Sequence, residues 1–110
     1  MKGMGNLGNM GGLLKQAQKM QQEMGRIQKE LKERVVEGSS GGGMVKCFAN
    51  GNQEVVGVKI DPQAVDPEDV DMLEDLVQAA VTAALKKAKE LQDQEMSKVT
   101  GGMQLPGMFG

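Results

Sequence analysis

Residues 13–31 read LLKQAQKMQQEMGRIQKEL. Within them Leu13, Ala17, Met20, Met24, Ile27 and Leu31 recur at alternating steps of four and three. That is the spacing of a heptad seam, and it predicts one amphipathic helix over residues 13–34. At 100° per residue, Lys15, Lys19, Gln22, Arg26 and Lys29 fall on the opposite side, while Glu23 and Glu30 sit on the flank. One face of this helix needs an apolar partner; the other offers cations.

Downstream the period changes. Val35, Val36 and Glu37 read as a short strand, followed by Gly38-Ser39-Ser40-Gly41-Gly42-Gly43. This glycine run is not a phosphate loop, because no Gly-Lys-Ser/Thr and no helix start follow it; a turn is expected there instead. Asn50-Gly51 is the preferred pair of a two-residue type I′ hairpin. Such a turn sets Ala49 opposite Asn52, Cys47 opposite Glu54 and Val45 opposite Val56. It gathers Val45, Cys47, Ala49, Val56, Val58 and Ile60 on one covered face and leaves Met44, Lys46, Phe48, Gln53, Val55 and Lys59 on the other.

Asp61-Pro62 ends the strand, since proline cannot extend the ladder. Asp66-Pro67 predicts the N-cap and first position of a second helix with the apolar stripe Leu73, Leu76, Val77, Ala80, Ala84, Ala88 and Leu91. That helix is expected to run to about residue 100, where Gly101-Gly102 stops it. The element order is α-β-β-β-α, an α+β fold with a long N-terminal helix, a three-stranded antiparallel sheet and a C-terminal helix, in a single domain over residues 13–100. Residues 1–12 and 101–110, dominated by Gly and Met, read as disordered tails.

A chain of 110 residues buries only about two thirds of the surface its unfolded form exposes. Phe48 and Phe109 are its only aromatics, so the core must be aliphatic, with ten Met residues as adaptable filler. The net charge of −2 conceals an asymmetry. Residues 1–60 carry nine Lys/Arg against five Asp/Glu, and residues 61–110 carry four against ten. The basic first half can therefore attract phosphate while the acidic stretch points elsewhere. A lone Cys47 makes no intrachain disulfide, residues 1–12 hold no secretory apolar core, and no apolar run approaches the roughly 20 residues of a membrane span. A cytoplasmic protein without a membrane partner is expected.

The chain has no His, and Cys47 is expected on the covered sheet face as a small core thiol. General bases, activated nucleophiles and nitrogen-rich metal sites are therefore missing. The acidic block Asp61, Asp66, Glu68, Asp69, Asp71, Glu74 and Asp75 lacks the alternating ligands and central glycine of an EF-hand; helix capping and a solvated face account for it. No catalytic residue, metal site, cofactor or small-molecule substrate is expected.

Charges opposite an apolar seam are what any soluble helix needs, but here their sign is biased. Residues 13–34 carry six Lys/Arg and three Glu, and of those acids only Glu33 lies on the outer stripe. Such a stripe can follow phosphates. Without aromatics to stack bases, and without helix-turn-helix or zinc-finger spacing, backbone contact is favoured over base reading. The rival is a protein-binding module that uses the Met-rich seam and tails, with no direct DNA role.

Several segments in order, Leu14-Lys15-Gln16-Ala17-Gln18-Lys19-Met20, Gly41-Gly42-Gly43, Asn50-Gly51, Ile60-Asp61-Pro62, Leu73-Glu74-Asp75-Leu76 and the alanine-rich final helix, give the chain its closest pattern. Along nearly its whole length it resembles the YbaB/EbfC family of bacterial nucleoid-associated proteins. The resemblance implies a tweezer-like homodimer whose sheets associate and whose helices grip duplex DNA with little or loose sequence preference, in the nucleoid. It supports Lys15 and Lys19 in the first helix and Lys86, Lys87 and Lys89 in the last as DNA-binding residues; the stripe itself adds Arg26, Lys29 and Lys32. Cys47-Phe48 stands where the family pattern leads one to expect β-branched residues.

Overall fold

The seam does form a helix, one of two long helices attached to a small sheet. The structure, a computed structural model, describes residues 2–99. Helix α1 (Lys2–Glu33) leads into strand β1 (Val35–Ser40), a single turn over Gly41–Gly43, strands β2 (Val45–Asn50) and β3 (Val55–Ile60), a second single turn over Pro62–Ala64, and helix α2 (Val70–Val99). The sheet is antiparallel in the order β1-β2-β3. This is the expected α-β-β-β-α order. The helix takes in residues 2–12, which the sequence alone assigns to a tail. The expected tail at 101–110 lies outside the described residues.

Strand β1 is longer than expected. It continues through Gly38 to Ser40, which pair with Cys47 and Val45. The turn that follows places Gly41, Gly42 and Gly43 at φ of 59°, 66° and 93°, a left-handed run that only glycine adopts without strain. Gly38 serves a different end. A Cβ there would run into the backbone of α2 at Ala84 N and Ala80 O. Glycine in the strand and alanine in the helix together let α2 lie directly on the sheet, and Ala80, Ala84 and Ala88 are fully buried. With Val45, Cys47, Ala49 and Ala64 they form the core, flanked by Val36, Met44, Leu73, Leu76, Val77, Val81 and Leu85.

The hairpin differs from the sequence expectation in its turn. Three residues, not two, separate the flanking pair: Asn50 N–H donates to Glu54 O at 2.9 Å, Gln53 N–H to Asn50 O at 3.0 Å, and Gln53 takes φ 63°. The buried Asn50 organises this turn, its Oδ1 accepting from the N–H groups of Asn52 and Glu54 at 3.0 and 3.1 Å. A bulge next to Ala49 then shifts the register again, so that Cys47 faces Val58 and Val45 faces Ile60, rather than Glu54 and Val56. The partners of Val45 and Cys47 are each displaced by four residues, so Val58 and Ile60 stay on the expected face, whereas Ala49 beside the bulge pairs with Val55, three residues from the expected Asn52.

Only part of the expected face is covered. Helix α2 spans β1 and β2, leaving Val56, Val58 and Ile60 on edge strand β3 exposed. The start of α2 also differs: Asp66 closes a turn by accepting from Glu68 N–H at 2.9 Å, and Asp69 is the N-cap, accepting from Met72 N–H at 3.2 Å. An Asx-turn there uses the same side-chain chemistry as a cap, three residues early.

Candidate nucleic-acid interface

Helix α1 is held only near its C-terminal end. Ile27 and Leu31 are buried and Met24 is half-buried, whereas Leu13, Ala17 and Met20 of the same seam are exposed. The stretch carrying Lys15 and Lys19 thus stands out from the body as an arm. Lys15, Lys19, Lys29 and Lys32 are exposed, and among the described residues none has an ion-pair or hydrogen-bond partner. Lys15 and Lys29 are separated by about 21 Å along the helix axis. A lysine row of this length on one helix face can meet successive phosphates of a duplex, where charge recurs every ~1.7 Å of axis.

Arg26 stands in that row but is engaged. Its guanidinium donates to Glu23 at 2.7 Å and to Glu30 at 2.8 Å, and these carboxylates, Glu23 first, push its pKa further up. The flank acids therefore fold onto the stripe through Arg26, and its charge is more than balanced locally. The α2 lysines also divide. Lys87 Nζ donates to the carbonyl of Glu37 on β1 at 2.8 Å, tying α2 to the sheet, while Lys86 and Lys89 are exposed and without a partner among the described residues. Of the eight basic positions singled out in the sequence, six thus present an uncommitted ammonium group.

A cluster that sequence spacing does not reveal lies where α1 meets α2. Arg34 Nη1 and Lys98 Nζ share Glu95 Oε1 at 2.8 and 3.2 Å, and Gln53 Nε2 donates to Gln92 Oε1 at 3.0 Å. Hydrogen bonds from Lys98 and then Arg34 hold the Glu95 carboxyl below the usual range. Arg34 and Glu95 are 61 positions apart, so no local pattern could have paired them. Asp61, Asp66 and Asp69 each accept from a nearby backbone N–H, which is the capping role expected of the acidic block. Among the described residues no group of side chains could hold a metal ion, and no helix is long and apolar enough to cross a membrane.

The profile of the YbaB/EbfC DNA-binding family matches residues 4–103. A nucleoid-associated protein of Moorella thermoacetica is 57% identical over 101 residues, covering 92% of this chain and 97% of that protein. One of Pelotomaculum thermopropionicum is 54% identical over 102 residues, covering 93% and 97%. These relatives are named as nucleoid-associated proteins and not as enzymes. Among solved structures, an uncharacterized protein from Helicobacter pylori superposes with a TM-score of 0.71 at 27% identity, over 84% of this chain and 94% of that one.

Proposed function

This chain belongs to the YbaB/EbfC DNA-binding family, and we propose that it is a nucleoid-associated protein that binds duplex DNA through the phosphate backbone, as a homodimer with little or loose sequence preference. The observation that carries this reading is the row of uncommitted lysines, Lys15, Lys19 and Lys29, on a projecting helix whose only arginine at the same face is neutralised by its neighbours. Lys32, Lys86 and Lys89 extend the positive surface, and Arg26 and Lys87 support it structurally. Neither α1 nor α2 carries an aromatic side chain among these lysines, so contacts position the protein without reading bases. Binding of this kind places the protein in the cytoplasm on the nucleoid and acts on nucleoid organisation and gene expression.

The homodimer is supported by surface that one copy leaves open. Val55, Val56, Val58 and Ile60 on edge strand β3, with Val65, Val70 and Met72 beyond it, are each 40–55% exposed. An uncapped, apolar edge strand is a template for pairing, and a second copy is the occupant that closes it. Sedimentation at micromolar concentration should give a dimer.

The exposed Leu13, Leu14 and Met20 favour a second reading, a protein-binding module. Gel-shift titration on unrelated duplexes at two salt concentrations separates the two. Phosphate contacts predict similar affinities for all duplexes and a steep loss as salt rises. An absence of binding to every duplex at low salt rejects the DNA reading.

A further inference from the structure

The α1 arm leaves the body with its seam uncovered, so its direction is decided entirely where it is held. Apolar burial of Ile27 and Leu31 provides adhesion there but little direction, since burial is non-directional. Direction comes from polar contacts, and three elements supply them. Gly51 N–H at the tip of the β2–β3 turn donates to Leu31 O at 2.8 Å and to Arg34 O at 3.0 Å, occupying carbonyls at the open end of α1. Asn52 Nδ2 donates to Gln28 O at 3.1 Å, one turn further up the helix. The Arg34–Glu95–Lys98 cluster and the Gln53–Gln92 bond then join the end of α1 and the same turn to α2.

Taking duplex DNA as the ligand proposed above, we infer that this turn and the ion cluster form a bracket that sets the direction of the α1 arm, and that Arg34 and Glu95 are positioning residues for DNA binding. The lever is long. From Leu31 to Lys15 the helix rises about 24 Å, so a tilt of about 10° at the bracket displaces Lys15 by about 4 Å. That exceeds the slack of a direct ammonium–phosphate contact, so keeping it requires the lysine stem to reorient at an entropic cost. The Glu95 side chain, only 16% exposed and shared by two cations, is the member whose loss opens the bracket on both sides.

Glu95→Gln gives a test in which charge and geometry predict opposite signs. The substitution raises the net charge by one and releases Arg34 and Lys98, so electrostatics alone would tighten DNA binding. The bracket requires weaker binding, by at least about twofold, with Arg34→Gln similar and the double variant less than additive. The slope of log affinity against log salt should stay that of the parent for Glu95→Gln, whereas Lys19→Gln makes it shallower by about 0.9 per protomer, about 1.8 for the dimer. Arm direction is read separately by electron–electron distance measurement between spin labels at Gln18→Cys and Gln78→Cys in a Cys47→Ser background, diluted with unlabelled protein; Glu95→Gln should broaden the distribution. Equal or tighter DNA binding by Glu95→Gln, or a distance distribution identical to the parent's, overturns the bracket. A parent that ignores duplex DNA overturns the proposed function and the positioning role with it, and the distance distribution still decides the bracket.

Discussion

Gly51 sits against Leu31 so closely that a Cβ on it would lie 2.8 Å from Leu31 Cβ and 3.0 Å from the Leu31 carbonyl oxygen. This contact, and not the φ of a type I′ turn, is what requires glycine at the hairpin tip: the turn's left-handed residue is Gln53. Gly51→Ala should therefore destabilise the protein by about 1–3 kcal/mol through overpacking at the end of α1. Chemical denaturation measures the loss, and an unchanged midpoint would mean that α1 moves aside freely.

Gly38→Ala should cost more than Gly51→Ala. The added methyl would meet only backbone of α2, at Ala80, Ala83 and Ala84, whereas the nearest atom at Gly51 is a Leu31 side-chain methyl that can partly give way. A loss of about 3 kcal/mol or more is expected, read as a lower denaturation midpoint. Stability equal to the parent would mean that the helix–sheet contact is looser than described.

Cys47 is fully buried, with its nearest acceptor the Phe48 carbonyl at 4.0 Å, and burial pushes its thiol pKa up. Cys47→Ser should cost about 1–2 kcal/mol, since a hydroxyl enters an apolar site without a good partner, and should leave DNA affinity unchanged. Thiol reagents should modify the folded protein far more slowly than the unfolded chain. Rapid modification of the folded protein would contradict the burial.

Replacing Lys15, Lys19 and Lys29 together by Gln preserves helix propensity and the seam, so the fold should survive. Affinity should fall alike for unrelated duplexes, and the salt slope should become shallower by about 2.7 per protomer, or about 5 for a dimer in which each lysine of both copies meets one phosphate. Arg26→Gln, which breaks two ion pairs within α1, should leave the slope where it was. Lys46→Gln, which removes one positive charge from the sheet, is the control for charge loss away from the stripe. If the triple variant binds with the parent's affinity and slope, the stripe is only a solvated face.

The lowered pKa of Glu95 makes part of the stability pH-dependent. Its folded pKa lies below the ordinary value of 4.5, so its stabilising contribution is present above that value and is lost as pH falls through the folded pKa. The stability difference between the parent and Glu95→Gln should be largest near neutral pH and close as the solution is made acidic. Denaturation curves at several pH values below 5 check this; a difference that grows on acidification would reverse the assigned sign.

Local periodicity made the elements legible. The four-and-three spacing of Leu13 to Leu31 and the Ala80, Ala84, Ala88 stripe each specify a helix face without reference to the rest of the chain, and the alternation in Val45, Cys47 and Ala49 specifies a strand with one covered side. The lysine row on α1 is legible for the same reason, since residues three and four apart share a helix face. Family membership was legible in the order of short segments.

What tertiary structure alone decided depends on groups far apart in the chain. Asn50-Gly51 satisfies two turn geometries, and docking of Gly51 on the open carbonyls of α1, together with Asn50's own hydrogen bonds, selects the longer one. Lys87 carries the same charge as Lys15, yet only the folded position of Glu37, 50 residues away in the chain, commits it, whereas Glu23 and Glu30 pair with Arg26 at local helix spacing. The sequence by itself determined which residues share a face, because that follows from backbone repeat. Which faces are covered, which cations are left for a ligand, and how Arg34 meets Glu95 across 61 positions were decided by packing, because burial and pairing are properties of distance in space and not of spacing along the chain.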